Sequence, residues 1–103
     1  MEMNQNTFKD EGVLFFSRRS CYRCEISKNQ ILLPYMIENQ VSLYEISLDE
    51  VKNQEDIINF NKKYNIHMNS VPHLVIFQKY DVLVQESDYN RYIKILKKYC
   101  IIK

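Results

Sequence analysis

The sequence has no alanine and no tryptophan, one glycine (Gly12), two prolines and three cysteines among its 103 residues. Three cysteines cannot build the dense disulfide framework of a small secreted scaffold, so that class is excluded. No apolar run approaches the roughly 18–20 residues that cross a bilayer as a helix. Neither sign of charge is in excess. Fourteen Lys and Arg stand against thirteen Asp and Glu, a formal net charge of +1, so the overall balance draws the chain neither to nucleic acid nor to an anionic membrane surface. The opening Met1-Glu2-Met3-Asn4-Gln5-Asn6 is polar and acidic, unlike a secretory signal, and a cytoplasmic protein is expected unless an export segment precedes it. The surplus of Ile, Asn, Lys and Tyr reads as the accent of an AT-rich genome, bacterial or phage, and carries no functional signal.

What is present, 46% hydrophobic and 26% charged residues, is the balance of one soluble globular domain over residues 1–103, too short for two. After a polar start with room for a short helix, Val13-Leu14-Phe15-Phe16 is a compact apolar run suited to a strand buried on both faces. Ser20 is positioned to cap a helix running to about residue 39, with Ile26, Leu33 and Ile37 inward and Leu32 and Met36 beside them. Pro34 must kink or divide that helix near Leu33. Residues 41–46 alternate as a second strand, and residues 53–64 carry Ile57, Phe60 or Asn61, and Tyr64 at helical spacing. Residues 73–77 and 82–85 are strands a hairpin's length apart. Asp88 or Ser87 caps a last helix whose apolar face is Tyr89, Tyr92, Ile93, Leu96 and Cys100. The order strand, helix, strand, helix, strand, strand, helix predicts an α/β sandwich of three layers: a mixed central sheet of about four strands flanked by helices.

The chemistry concentrates at Cys21-Tyr22-Arg23-Cys24. Cys-x-x-Cys spacing alone also serves structural zinc sites. Here the first cysteine falls at a strand-to-helix junction, where unpaired backbone N–H groups and the helix dipole favour a thiolate. Arg18, Arg19 and Arg23 add positive potential that lowers its pKa further. Cys24 lies one turn on, close enough for a disulfide and more shielded. That arrangement suits attack by Cys21 and resolution by Cys24. A second element, Val71-Pro72, stands just before the third strand. A proline after a β-branched residue at such a junction suits a cis bond, which would expose the Val71 backbone as a pairing edge for an extended substrate.

These elements together resemble the thioredoxin superfamily, from about Val13 to the C-terminus: the apolar strand, Cys21-x-x-Cys24, Lys63-Tyr64-Asn65-Ile66, Val71-Pro72-His73-Leu74-Val75-Ile76-Phe77, a hairpin and an amphipathic last helix. The resemblance implies a thioredoxin-like fold and a thiol-disulfide oxidoreductase in which Cys21 is the nucleophile and Cys24 resolves. It further implies a cis Pro72 facing the disulfide, with Val71, Pro72 and Tyr22 at the substrate. No metal or organic cofactor is implied. The partners implied are protein disulfides, with a reductase or glutathione for recycling, and the chain is expected to be a monomer. The sequence departs from the family pattern at several positions. Ser20 replaces the usual Trp, Tyr22-Arg23 the usual Gly-Pro, and Ser87-Asp88 the glycine of the substrate groove. Phe15 stands where the family keeps a buried acid, and Glu45 where it keeps a lysine, so Glu45 is the candidate substitute acid and base. Ser70-Val71-Pro72 also fits a glutaredoxin-like variant.

Two other readings of the motif remain at this point. One is a zinc site completed by His67 and His73; the other is a thioredoxin-like binding protein without catalysis. His67 itself reads as an exposed loop residue, and His73 reaches Cys21 only if the strand's phase turns it that way. Cys100 reads as helix packing.

Overall fold

In the computed structural model, which describes residues 11–49, 54–78 and 81–99, the apolar run of the first strand extends over Glu11–Ser17 (β1) and occupies the middle of the sheet. Its neighbours are β2 (Leu43–Ser47), parallel, and β3 (His73–Gln78), antiparallel; β4 (Asp81–Glu86) completes the order β2-β1-β3-β4. This is the mixed four-stranded sheet expected, in the expected thioredoxin-like order of elements. Val13, Phe15, Leu74 and Ile76 face one layer of helices, and Leu14, Phe16, Val75 and Phe77 face the other. Both faces are covered, which is why these strands read as continuous rather than alternating apolar runs. Each fully buried side chain of this size contributes about 1.5–3 kcal/mol of transfer free energy.

The layer over Val13 and Phe15 contains the long helical region after the cysteines, and here the structure corrects the sequence reading. Cys21, not Ser20, is the N-cap; Ser20 takes a left-handed φ of 56° in the preceding turn. The region is three pieces: α1 (Tyr22–Ile26), a π-helical segment (Ser27–Leu32) and α2 (Leu33–Asn39). The division at Leu33 agrees with the expectation, and Pro34 lies in the first turn of α2. The buried face does not agree. Leu32, Tyr35 and Met36 are buried, Ile26 and Leu33 only half-buried, and Ile37 is 77% exposed. The cause is the wide turn, in which Leu33 N–H reaches the Lys28 carbonyl, five residues back; each such bond shifts the phase of the succeeding turns away from a 3.6-residue repeat. Gln40, at φ 56°, closes α2 as a left-handed C-cap.

The opposite layer is α3 (Gln54–Lys63), which buries Ile57 and Phe60 against Leu14, Phe16 and Phe77. Tyr64 continues its face, with its ring 4.8 Å from that of Phe60 and 5.4 Å from that of Phe77. At the C-terminal side Asp88 accepts from the Asn90 N–H and caps a 3-10 turn (Tyr89–Arg91) that runs into α4 (Tyr92–Tyr99). Tyr92 and Leu96 insert fully into the cluster around Phe15. The expected N-terminal helix, Asn53, the hairpin residues Lys79 and Tyr80, and Cys100 lie outside the described residues.

Candidate functional site

β1 delivers the chain to one end of the sheet, and residues 18–20 turn it into α1. Cys21 keeps an extended backbone (φ −100°, ψ 102°), while its sulfur accepts from the Cys24 N–H at 3.1 Å and its carbonyl accepts from the Glu25 N–H at 3.1 Å. The two cysteines are joined in a disulfide with Cα atoms 5.2 Å apart, within the ordinary span for such a bond. Their environments differ: Cys21 is half-buried and Cys24 is 3% exposed, in the same cluster as Phe15, Leu32 and Tyr92. The N–H that touches the Cys21 sulfur is placed to stabilise negative charge there, as charge-assisted bonds to thiolates do. Ser27, fully buried, donates to the carbonyls of Arg23 and Cys24 and ties the wide turn to the motif. Tyr22 projects outward, 76% exposed, beside Cys21.

The strand register brings Val71 and Pro72 to the same end of the sheet. His73 pairs with Phe16 across the antiparallel β1–β3 ladder, so the two residues before His73 lie beyond the ladder, level with the turn that leads to Cys21. The Val71–Pro72 bond is cis. Pro72 is buried, and half-buried Val71 packs against the cluster that Cys21 also touches.

The charged candidates divide. Arg23 is exposed within the motif. The Arg19 backbone N–H donates to the Asp49 carboxylate, and Arg18 Nη1 lies 3.8 Å from the same group, so part of the positive potential at this turn is offset. Glu45 is better enclosed. It stands opposite Phe15 in the parallel register, accepts from Ser17 Oγ at 2.8 Å and pairs with Lys28 Nζ at 2.8 Å. A cleft of about 250 Å³ behind the motif is lined by Cys24, Ser17, Lys28 and Glu45 together with the Arg18–Arg19 turn. Ser17 and Lys28 were not singled out from sequence. The π-helical turn that sets the direction of Lys28 has no local sequence signal, and a serine ending a strand reads as ordinary.

His73 faces the other way. Its ring lies 6.4 Å from that of Phe16, on the α3 side of the sheet, while Cys21 and Cys24 belong to the opposite side. Nδ1 is 2.6 Å from Ser87 Oγ and Nε2 is 3.0 Å from Gln85 Oε1. Burial pushes its pKa below 6.5, against the raising effects of the Gln85 hydrogen bond and the Glu86 charge. His67 is exposed. The two histidines are therefore not assembled with the cysteine pair into a four-ligand zinc site, and among the described residues no group of three metal-ligating side chains converges. Also among those residues, no helix is long and apolar enough to cross a membrane.

No family model matches the sequence, and no curated protein matches it. Solved structures do match. Thioredoxin f2 of Chlamydomonas reinhardtii aligns over 97% of this chain and 95% of its own, with a TM-score of 0.71 at 10% identity. Oxidised thioredoxin O1 of Arabidopsis thaliana aligns over 90% of this chain and 78% of its own, with a TM-score of 0.68 at 16% identity. Spinach chloroplast thioredoxin f aligns over 94% and 89%, with a TM-score of 0.67 at 17% identity. At these identities the likeness is one of fold, and the fold of this chain is that of the thioredoxins.

Proposed function

We propose that the protein is a thiol-disulfide oxidoreductase that exchanges its Cys21–Cys24 pair with disulfides of proteins. The observation that carries this reading is the unequal placing of two bonded cysteines: Cys21 half-exposed at a helix start, with a backbone N–H on its sulfur, and Cys24 sheltered one turn behind. In the reducing direction the Cys21 thiolate attacks one sulfur of the substrate disulfide; the other sulfur leaves as a thiolate and takes a proton from solvent. Cys24 then loses its proton and attacks the Cys21 sulfur of the mixed disulfide. The second substrate thiolate is expelled, and two electrons have passed from the dithiol to the substrate. Glu45 is the base for the Cys24 proton, through the cleft both residues line. Arg23 and Arg19 favour the Cys21 thiolate. Tyr22, Val71 and Pro72 receive the substrate, whose extended backbone pairs with that of Val71 in the manner of strand addition.

In this reading a reductase or glutathione restores the dithiol, and the chain works as a monomer without a metal or organic cofactor. Cysteine usage fits a reducing compartment, and the cytoplasm is the setting we assign. Arginines that stabilise the thiolate also stabilise the reduced form and raise the potential toward oxidase or isomerase behaviour. The test is equilibration in graded glutathione buffers followed by alkylation and mass spectrometry. A reversible two-electron couple of Cys21 and Cys24 is expected, near about −270 mV for a thioredoxin-like reductant or about −120 mV for a strong oxidant. Absence of the disulfide at every poise refutes the function, as does full retention of activity by Cys21→Ser, the result required of a binding protein without catalysis.

A further inference from the structure

The loop of residues 65–72, which ends in Val71 and Pro72, is held at its base by one side chain of β4. Gln85 Oε1 accepts from the His67 backbone N–H at 2.8 Å, and Gln85 Nε2 donates to the Asn65 carbonyl at 3.0 Å. The same Oε1 lies 3.0 Å from His73 Nε2. The backbone N–H of His67 can only donate, which fixes the orientation of the amide. His73 must then carry its proton on Nε2 to share that oxygen, and its bare Nδ1 accepts the Ser87 hydroxyl proton at 2.6 Å. Each donor and acceptor thus has one consistent role, from Ser87 through His73 and Gln85 to the loop. His73 is 3% exposed, with its ring beside that of Phe16, so the network has a rigid anchor, and Gln85 ties the first residues of the loop to the residue just beyond its end.

We propose that Gln85, acting with His73, is a positioning residue for substrate: it clamps loop 65–72 so that the Val71 backbone is held as the edge on which an extended disulfide-bearing peptide is laid. Neither residue touches the reacting sulfurs. The inference deepens the oxidoreductase reading and rests on it.

The experiment compares the wild type, Gln85→Met and His73→Asn on two probes: a synthetic peptide disulfide long enough to pair along Val71, and iodoacetamide, which alkylates reduced Cys21 without any backbone pairing. Both variants are expected to raise KM for the peptide about tenfold, the equivalent of one or two lost hydrogen bonds, with kcat and the alkylation rate within twofold of wild type. Gln85→Glu, which keeps the acceptor for His67 and His73, recovers part of the loss. Equal KM in folded variants, or a parallel fall in alkylation rate, overturns the clamp while leaving the oxidoreductase intact. A wild type unable to reduce any peptide disulfide overturns that reading, and the clamp with it. Amide hydrogen exchange decides even if the variants do not fold: the His67 N–H must be protected in the unsubstituted protein, and exchange at the rate of a free loop amide overturns the clamp by itself.

Discussion

Phe15 and Glu45 stand side by side in the parallel register of β1 and β2. The strand beneath the sheltered cysteine therefore carries a fully buried aromatic ring, and the neighbouring strand carries the carboxylate, held by Ser17 and Lys28. If proton transfer to that carboxylate governs resolution, Glu45→Gln slows the attack of Cys24 on the mixed disulfide by about a hundredfold, the low end of general base catalysis. Rapid quench and mass spectrometry should then show the mixed disulfide accumulating, with formation of that species at Cys21 unchanged.

The cysteines themselves separate the two half-reactions. Cys24→Ser should form a stable adduct with a protein disulfide that is recoverable on a non-reducing gel. Cys21→Ser should form none and show no turnover.

The wide turn after Cys24 makes an unusual stability forecast. Leu32→Ala removes a fully buried side chain and should cost about 2–5 kcal/mol. Ile37→Ala removes one that is mostly in water and should change stability by less than about 0.5 kcal/mol. Urea unfolding of both variants checks the contrast, and the opposite ranking would mean that the helix is in regular phase.

That contrast also marks how far the sequence could be read. The strands were legible because Val13–Phe16 and Leu74–Phe77 are apolar without interruption, and the helix over Ile57 and Phe60 because its spacing is regular. The Cys-x-x-Cys and Val71-Pro72 were legible as local motifs whose elements must meet once the order of strands is known. The inward face of α2 was not legible, since a π-helical segment is set by packing and leaves the sequence pattern unmarked. Nor was the Gln85–His73 network. It joins residues twelve to twenty positions apart, and whether His73 faces Cys21 or α3 depends on a strand phase that Pro72 leaves open.

His73 should give stability a pH dependence of definite sign. Its folded pKa lies below 6.5 because burial disfavours the imidazolium. The unfolded chain therefore holds more protons than the folded one between that lowered value and 6.5, and unfolding becomes easier as pH falls through this window. Above 6.5 His73 contributes no slope. Urea midpoints measured from about pH 8 to about pH 5 should show the decline, and His73→Asn should remove this contribution.

The Tyr92 hydroxyl is buried with no hydrogen-bond partner among the described residues, while its ring meets Phe15 edge-on at 6.5 Å. Tyr92→Phe keeps the ring contact and removes an unsatisfied group, so it should raise stability by about 1 kcal/mol. A lowered urea midpoint would show that the hydroxyl has a partner.

The π-helical segment also dictates which kinds of sequence change the protein can accept. Cys24 and the Leu32–Tyr35–Met36 face are buried in one cluster, and residues 27–32 set the angle that lets both point into it. Asn29 and Gln30 point to solvent, so their identity is nearly free, but their number is not: deleting one would rotate α2 by about 100° relative to the cysteine pair. Across this stretch descendants can differ in spelling and still fold alike, provided they keep the count.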